Sequence, residues 1–193
     1  MLCDVSNTRE RLMTASAELF RRQGYTGTGL KQIVTEAGAP FGSLYHFFPG
    51  GKEHLGAEVI RWSGASYLAL VNEFFDPAPD VATAIEWAFV GAGMTLRETD
   101  WADACPIATV ALEVASTNET LRQATAEVFE SWIVAVSARF EAAGIAPEPA
   151  RALTFSVLSL LEGAFIFCRA AQNTAAMDAA GVTAAAAVRA ALP

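Results

Sequence analysis

Residues 40–55 read PFGSLYHFFPGGKEHL. Phe41, Tyr45, Phe47 and Phe48 set four aromatic rings around His46 within eight positions, and Pro49, Gly50, Gly51 and Lys52 follow at once. A Gly-Gly-Lys run invites phosphate binding. The fold turns on which phosphate, that of a nucleotide or that of a nucleic-acid backbone. A nucleotide-binding P-loop places a glycine five residues before the Gly-Lys pair, a Ser or Thr after the lysine, and a buried strand ahead. Here His46 takes the first place and Glu53 the second, and no strand is predicted. The run GTGLKQ near Gly27 lacks the third glycine of a dinucleotide fingerprint and opens a helix. Both nucleotide readings fail on spacing.

Working outward, the flanking segments are helical. Leu12, Met13, Ser16, Leu19 and Phe20 recur at i, i+3, i+4 spacing, with Thr8 as N-cap and Gly24 as terminator. Thr28 reads as the cap of a second helix carrying Leu30, Ile33, Val34 and Ala37, which Gly38 closes. Pro40 opens a short third helix, where proline costs little. In it Leu44, Phe47 and Phe48 point to one side and Ser43, Tyr45 and His46 to the other. Two short helices (28–38 and 40–48) joined by a tight turn, with a third (8–23) packed across them, form a helix-turn-helix. Taken singly, Tyr45 and Phe47 fit a packed helix as well as a binding face, and His46 fits a solvated surface. The order of elements favours the binding face and a DNA phosphate. Hydroxyl, imidazole and aromatic groups meet phosphates and base edges. Lys52 starts the next helix, where the helix N-terminus also favours an anion.

That helix runs over 52–75, with an inward stripe of Leu55, Val59, Trp62, Ser66, Leu70 and Phe74. Further helices are expected near 80–98, 103–116, 118–143, 148–172 and 177–191. With few runs of period two and no internal repeat, the fold class is all-α: an N-terminal three-helix helix-turn-helix domain followed by a helical bundle. The chain has 193 residues, of which 53% are hydrophobic and 18% charged, enough to bury a core. Its net charge of −8 is uneven: residues 1–61 carry seven basic and six acidic groups, and the remainder six and fifteen. Overall acidity argues against indiscriminate nucleic-acid binding and leaves room for a small local footprint. Cys3, Cys105 and Cys168 are far apart and odd in number, as in a cytoplasmic protein with ordinary thiols. No secretory signal is expected, since the first residues, MLCDVSNTRER, lack an apolar run. The apolar stretch Leu153–Cys168 holds Thr154, Ser156, Ser159 and Glu162, so a buried helix is expected there rather than a membrane span.

The runs TRERLMTASAELFRRQGY, TGTGLKQIVTEAGA and GSLYHFF, with Lys52 and Leu55, resemble the DNA-binding domain of the TetR family of bacterial regulators. The extra glycine in GAPFGSLYHFFPGGKEHL resembles the LmrA/YxaF-like subgroup, as do CPIATVALE (105–113) and LLEGAF (160–165). The resemblance implies an all-α homodimer with a DNA-binding domain over 1–51 and a ligand-binding and dimerisation domain over 52–193, joined by the 52–75 helix. By position, it implies that Thr28 and Lys31 meet the backbone or a base. Phe41, Gly42, Ser43, Tyr45 and His46 then face the groove, with Tyr45 and Lys52 the strongest phosphate contacts. Two residues depart from the pattern. Phe41 stands where a basic residue is frequent, exchanging a charged contact for apolar contact with a thymine methyl. Gly29 stands where Ser or Thr is common, removing one phosphate contact. Repression of a palindromic operator, relieved by a ligand, is the function implied.

Beyond residue 75 the chain is rich in large flat side chains. Together with Trp62 of the 52–75 helix, Trp87, Met94, Trp101, Phe129, Trp132 and Phe165 read either as ordinary core or as the lining of a pocket for a small apolar or aromatic ligand. Glu162, amid apolar neighbours, needs a partner if buried, and serves either a ligand donor or a neighbouring helix. The helices near 148–172 and 177–191 read as a dimer interface, the first apolar on nearly all sides and the second lined with small residues. Such an interface would set two recognition helices about 34–36 Å apart or a multiple of it. An enzyme finds little support: both histidines, His46 and His54, fall in the first domain, and no GxSxG, HExxH or Cys/His metal spacing occurs. No catalytic residue, metal or cofactor is expected. The alternative is a helical interaction or ligand-binding module without specific DNA binding.

Overall fold

A computed structural model describes residues 2–103 and 105–193, with side chains from residue 7 onward, so the Cys3 thiol lies outside the described residues. Among these residues there are nine helices and no strand: α1 (Leu2–Gln23), α2 (Leu30–Glu36), α3 (Phe41–Phe47), α4 (Gly51–Phe75), α5 (Val81–Glu98), α6 (Pro106–Val114), α7 (Glu119–Ala142), α8 (Pro147–Ala171) and α9 (Ala175–Ala191). The all-α expectation holds. The chain groups into two compact units, Met1–Ala65 with Cys105–Val128, and Ser66–Ala104 with Phe129–Pro193. Helices α4 and α7 contribute to both.

In the first unit α1 packs on α2, α3 and α6, and α2 on α3. The apolar stripe of α1 is buried as its spacing requires, with Leu12, Met13, Leu19 and Phe20 each under a tenth exposed. Ser16, on the same face, turns its hydroxyl back to the Leu12 carbonyl at 2.7 Å, so a polar group enters the core satisfied. Ile33 and Val34 of α2, Leu44 and Phe48 from α3, and Leu55 of α4 complete the buried set.

Four expectations need correction. Helix α1 begins at Leu2, so Thr8 lies within it and accepts from Arg11 at 3.2 Å instead of capping. Gly29, not Thr28, occupies the N-cap of α2, with no side-chain cap bond. The inward stripe of α4 holds at Leu55 and Val59, but Trp62 and Leu70 are exposed and so is Ser66. After Val59 the buried positions pass to Ile60, Ser63 and Gly64, because a Cβ at Gly64 would lie 2.5 Å from Val128. Small residues, not large ones, mark where this helix is crowded.

The fourth correction concerns α8, which is long and apolar enough to cross a membrane by length and composition, yet only 22% of its most apolar window is buried. It has two faces. Ala150, Thr154, Val157, Ala164 and Cys168 point into the second unit's core. Phe155, Ile166 and Phe167 are 47%, 60% and 69% exposed. That core joins Ile85 and Phe89 of α5, Phe140 of α7, and Met177 and Val188 of α9. Part of the small-residue set of α9 is spent inside the same chain: Ala180, Gly181, Ala184 and Ala185 are buried, with a Cβ at Gly181 lying 2.8 Å from Phe89, while Ala179, Val182, Ala186 and Ala190 stay exposed.

Candidate nucleic-acid interface

Helix α3 is seven residues long, too short to be held by its own hydrogen bonds. Leu44 and Phe48, each 0% exposed, fix it to the first unit. Their burial leaves the opposite face bare. Phe41 is 44% and Tyr45 48% exposed, one turn apart, with ring centroids 5.8 Å from each other. Gly42 and His46 are exposed and Ser43 is half-buried. His46 stands edge-on to Phe47 at 4.9 Å. Phe47, expected on the inner side, is half-buried at the border between the faces. The turn ahead of α3 is closed by bonds from Gly38 N to Thr35 O and Ala39 N to Val34 O, at 3.1 and 2.9 Å. Behind it, Gly51 N bonds Phe48 O at 2.8 Å with Gly51 at φ +65°, a left-handed geometry that glycine adopts without strain. The glycines of the opening quotation are therefore a backbone reversal that starts α4.

On α2 Lys31 is exposed. Thr28 is not a surface contact: it is 1% exposed, donates to Gly24 O at 2.7 Å and accepts from Gln23 Nε2 at 3.2 Å. Its hydroxyl closes the α1–α2 turn, which removes it as a side chain meeting DNA. Lys52 is half-buried, with its ammonium 4.3 Å over the Tyr25 ring. Burial pushes the Lys52 ammonium below the usual lysine value, and the Glu113 carboxylate opposes that shift. Burial, and then the nearby Glu53 carboxylate, raise the Tyr25 phenol.

Sequence reasoning missed Glu113. From α6 it accepts the Thr26 N–H at 2.7 Å across a separation of 87 residues, inside the same unit. Glu53, in the first turn of α4, likewise accepts from Asn118 at 2.8 Å and Thr120 at 2.9 Å. No local pattern marks residues whose partners are so distant.

The residues expected to line a ligand site are distributed more widely. Trp62 belongs to the first unit and is 41% exposed, whereas the others belong to the second. Trp87 and Met94 are 41% and 54% exposed on the outer face of α5, opposite buried Ile85, Phe89 and Leu96. Trp132 is 7% exposed and gathers Phe129 at 5.6 Å and Tyr67 at 6.1 Å between ring centroids. Trp101 and Phe165 pack against the second unit's core. Trp101 sits at φ +61°, and its carbonyl and that of Ala102 accept from Arg169 at 3.2 and 3.3 Å. Glu162 is half-buried rather than sealed, because it lies between the two faces of α8. Among the described residues no group of His, Cys, Asp and Glu is placed to hold a metal ion.

Comparison with known proteins gives this geometry its context. Residues 12–59 match the bacterial regulatory proteins of the tetR family, and residues 81–183 match the LmrA/YxaF-like transcriptional regulator C-terminal domain. The chain is 36% identical over 157 residues to the HTH-type transcriptional regulator YxaF of Bacillus subtilis, covering 81% of this chain and 82% of that one. It is 30% identical over 168 residues to the HTH-type transcriptional regulator LmrA of Bacillus subtilis, covering 87% and 89%. A TetR transcriptional regulator from Chloroflexus aurantiacus shares the fold with a TM-score of 0.82 at 21% identity, covering 98% of both chains. The chain belongs to the TetR family of transcriptional regulators, with a helix-turn-helix DNA-binding domain and an LmrA/YxaF-like C-terminal domain.

Proposed function

We propose that the protein is a cytoplasmic homodimeric repressor. It binds a palindromic operator and is released when a small apolar or aromatic molecule binds its second unit. The observation that carries this reading is the outer face of α3, where Phe41 and Tyr45 stay about half exposed while Leu44 and Phe48 are fully buried. Lys31, Tyr45, His46 and Lys52 supply the polar and cationic groups around it. For Lys52 to reach a phosphate, its ammonium would leave the Tyr25 ring, a short movement for a four-carbon stem. The exposed second face of α8 supports pairing with another copy. The Tyr67, Phe129 and Trp132 cluster, with Trp101 and Phe165, supports an aromatic ligand. A ligand lowers DNA affinity only if it prefers the DNA-incompetent state.

Fluorescence anisotropy with DNA from upstream of its own gene, at two salt concentrations, tests the reading. Selective binding that weakens with salt is expected, with planar aromatic compounds releasing the DNA. Lys52→Ala should weaken all DNA sequences alike and lower the salt slope by about one. Equal binding to operator and scrambled DNA would sink the proposal.

A further inference from the structure

We infer that Phe41 and Tyr45 form a single aromatic ridge that reads thymine methyl groups, so that base recognition by α3 depends on pyrimidine 5-methyls rather than on bidentate hydrogen bonds. The inference rests on α3 being the recognition helix. Its sequence, FGSLYHF, contains no Arg, Lys, Asn, Gln, Asp or Glu. The strong base readers, Arg or Lys on guanine and Asn or Gln on adenine, are therefore missing from the helix. Nor does α2 supply the amide, since Gln23 donates to the Gln32 Oε1 at 2.8 Å.

What α3 offers instead is apolar. Phe41 and Tyr45 are 44% and 48% exposed, and their rings meet at 5.8 Å. Beside Phe41, a Cβ built on Gly42 would meet nothing within 4 Å, so the surface next to the ring is open. The only methyl in the major groove of unmodified DNA is that of thymine, and apolar side chains read it by contact. A cytosine carrying the same 5-methyl group presents the same surface and should partly substitute.

The test begins by selecting bound sequences from a random duplex pool with the full-length protein. Each thymine of the selected half-site is then replaced by deoxyuridine, which removes only the methyl. One or two positions should lose about fourfold each, the effect of exposing one buried methyl. At those positions 5-methylcytosine should bind better than cytosine. Phe41→Ala should abolish the difference between thymine and uracil, whereas Lys52→Ala should weaken both sites equally. Selected sites that bind equally with uracil would overturn the ridge while leaving sequence-specific binding intact. Failure to enrich any sequence would overturn base reading by α3, and the ridge with it. The uracil comparison uses the unaltered protein, so it stands even if Phe41→Ala does not fold.

Discussion

Gly24 is buried at the end of α1 with φ +78°, and a Cβ built on it would fall within the Glu113 carboxylate. Two demands meet at one residue: a left-handed backbone and a seat for an acid that arrives from α6. The carboxylate is the far end of a flexible side chain, so it can swing away, but it then gives up the Thr26 N–H. Gly24→Ala should destabilise the fold by roughly 2–4 kcal/mol. About 1–2 of this comes from the left-handed geometry and the rest from weakening a hydrogen bond to a charged group. In a Glu113→Ala background the same substitution should cost only the backbone part. Denaturant titration of the four proteins of this double-mutant cycle checks it; equal costs in both backgrounds would show that the carboxylate contributes nothing.

Helix α6 is nine residues long, yet it carries the acid that holds the α1–α2 turn, and the α6–α7 junction holds Glu53 at the head of α4. These bonds make α6 the brace of the helix-turn-helix within the first unit. Glu113→Ala should speed hydrogen exchange at the Thr26 amide by roughly 10- to 150-fold, the range for a hydrogen bond to a charged acceptor, while amides of α8 keep their rates. An unchanged Thr26 amide would mean that the bond gives the turn no protection. None of this bracing was legible in the chain. Periodicity and Gly/Pro punctuation located the helices to within three residues, except for the start of α1, where Thr8 mimicked a cap inside a longer helix. Periodicity also sorted Leu44 and Phe48 from Tyr45 and His46. It could not tell that the Thr28 hydroxyl bonds the Gly24 carbonyl four residues back, because that arrangement and an N-cap use the same residue type. It could not follow α4 past Val59, where burial passes to Ile60 and then to the small Ser63 and Gly64.

At the scale of the molecule, the charge split and the aromatic-rich second half suggested two functions, whereas the return of 105–128 to the first unit left no trace in composition. One face of α9 packs against α5 and α8, and the other, with Ala179, Val182, Ala186 and Ala190, stays exposed, so the proposed pairing of two copies would use that face and the open face of α8. The open stripe of α8 combines Ala152, Ser156, Ser159, Gly163 and Ala170 with Phe155, Ile166 and Phe167, at i, i+3, i+4, i+7 spacing. Small side chains permit close approach between two helices, and the large ones supply apolar area, so the same stripe on a second copy is its natural complement. Ile166→Glu together with Phe167→Glu places two charges on that face without touching Val157, Ala164 or Cys168 beneath it. Sedimentation should shift from dimer to monomer while circular dichroism keeps its helical signal. Binding to a palindrome should then fall by roughly 10²–10⁴-fold, because the second half-site no longer benefits from tethering. Affinity for an isolated half-site should be unchanged, since α3 and Lys52 are untouched. A variant that stays dimeric, or that loses half-site and palindrome affinity in the same proportion, would place the interface elsewhere.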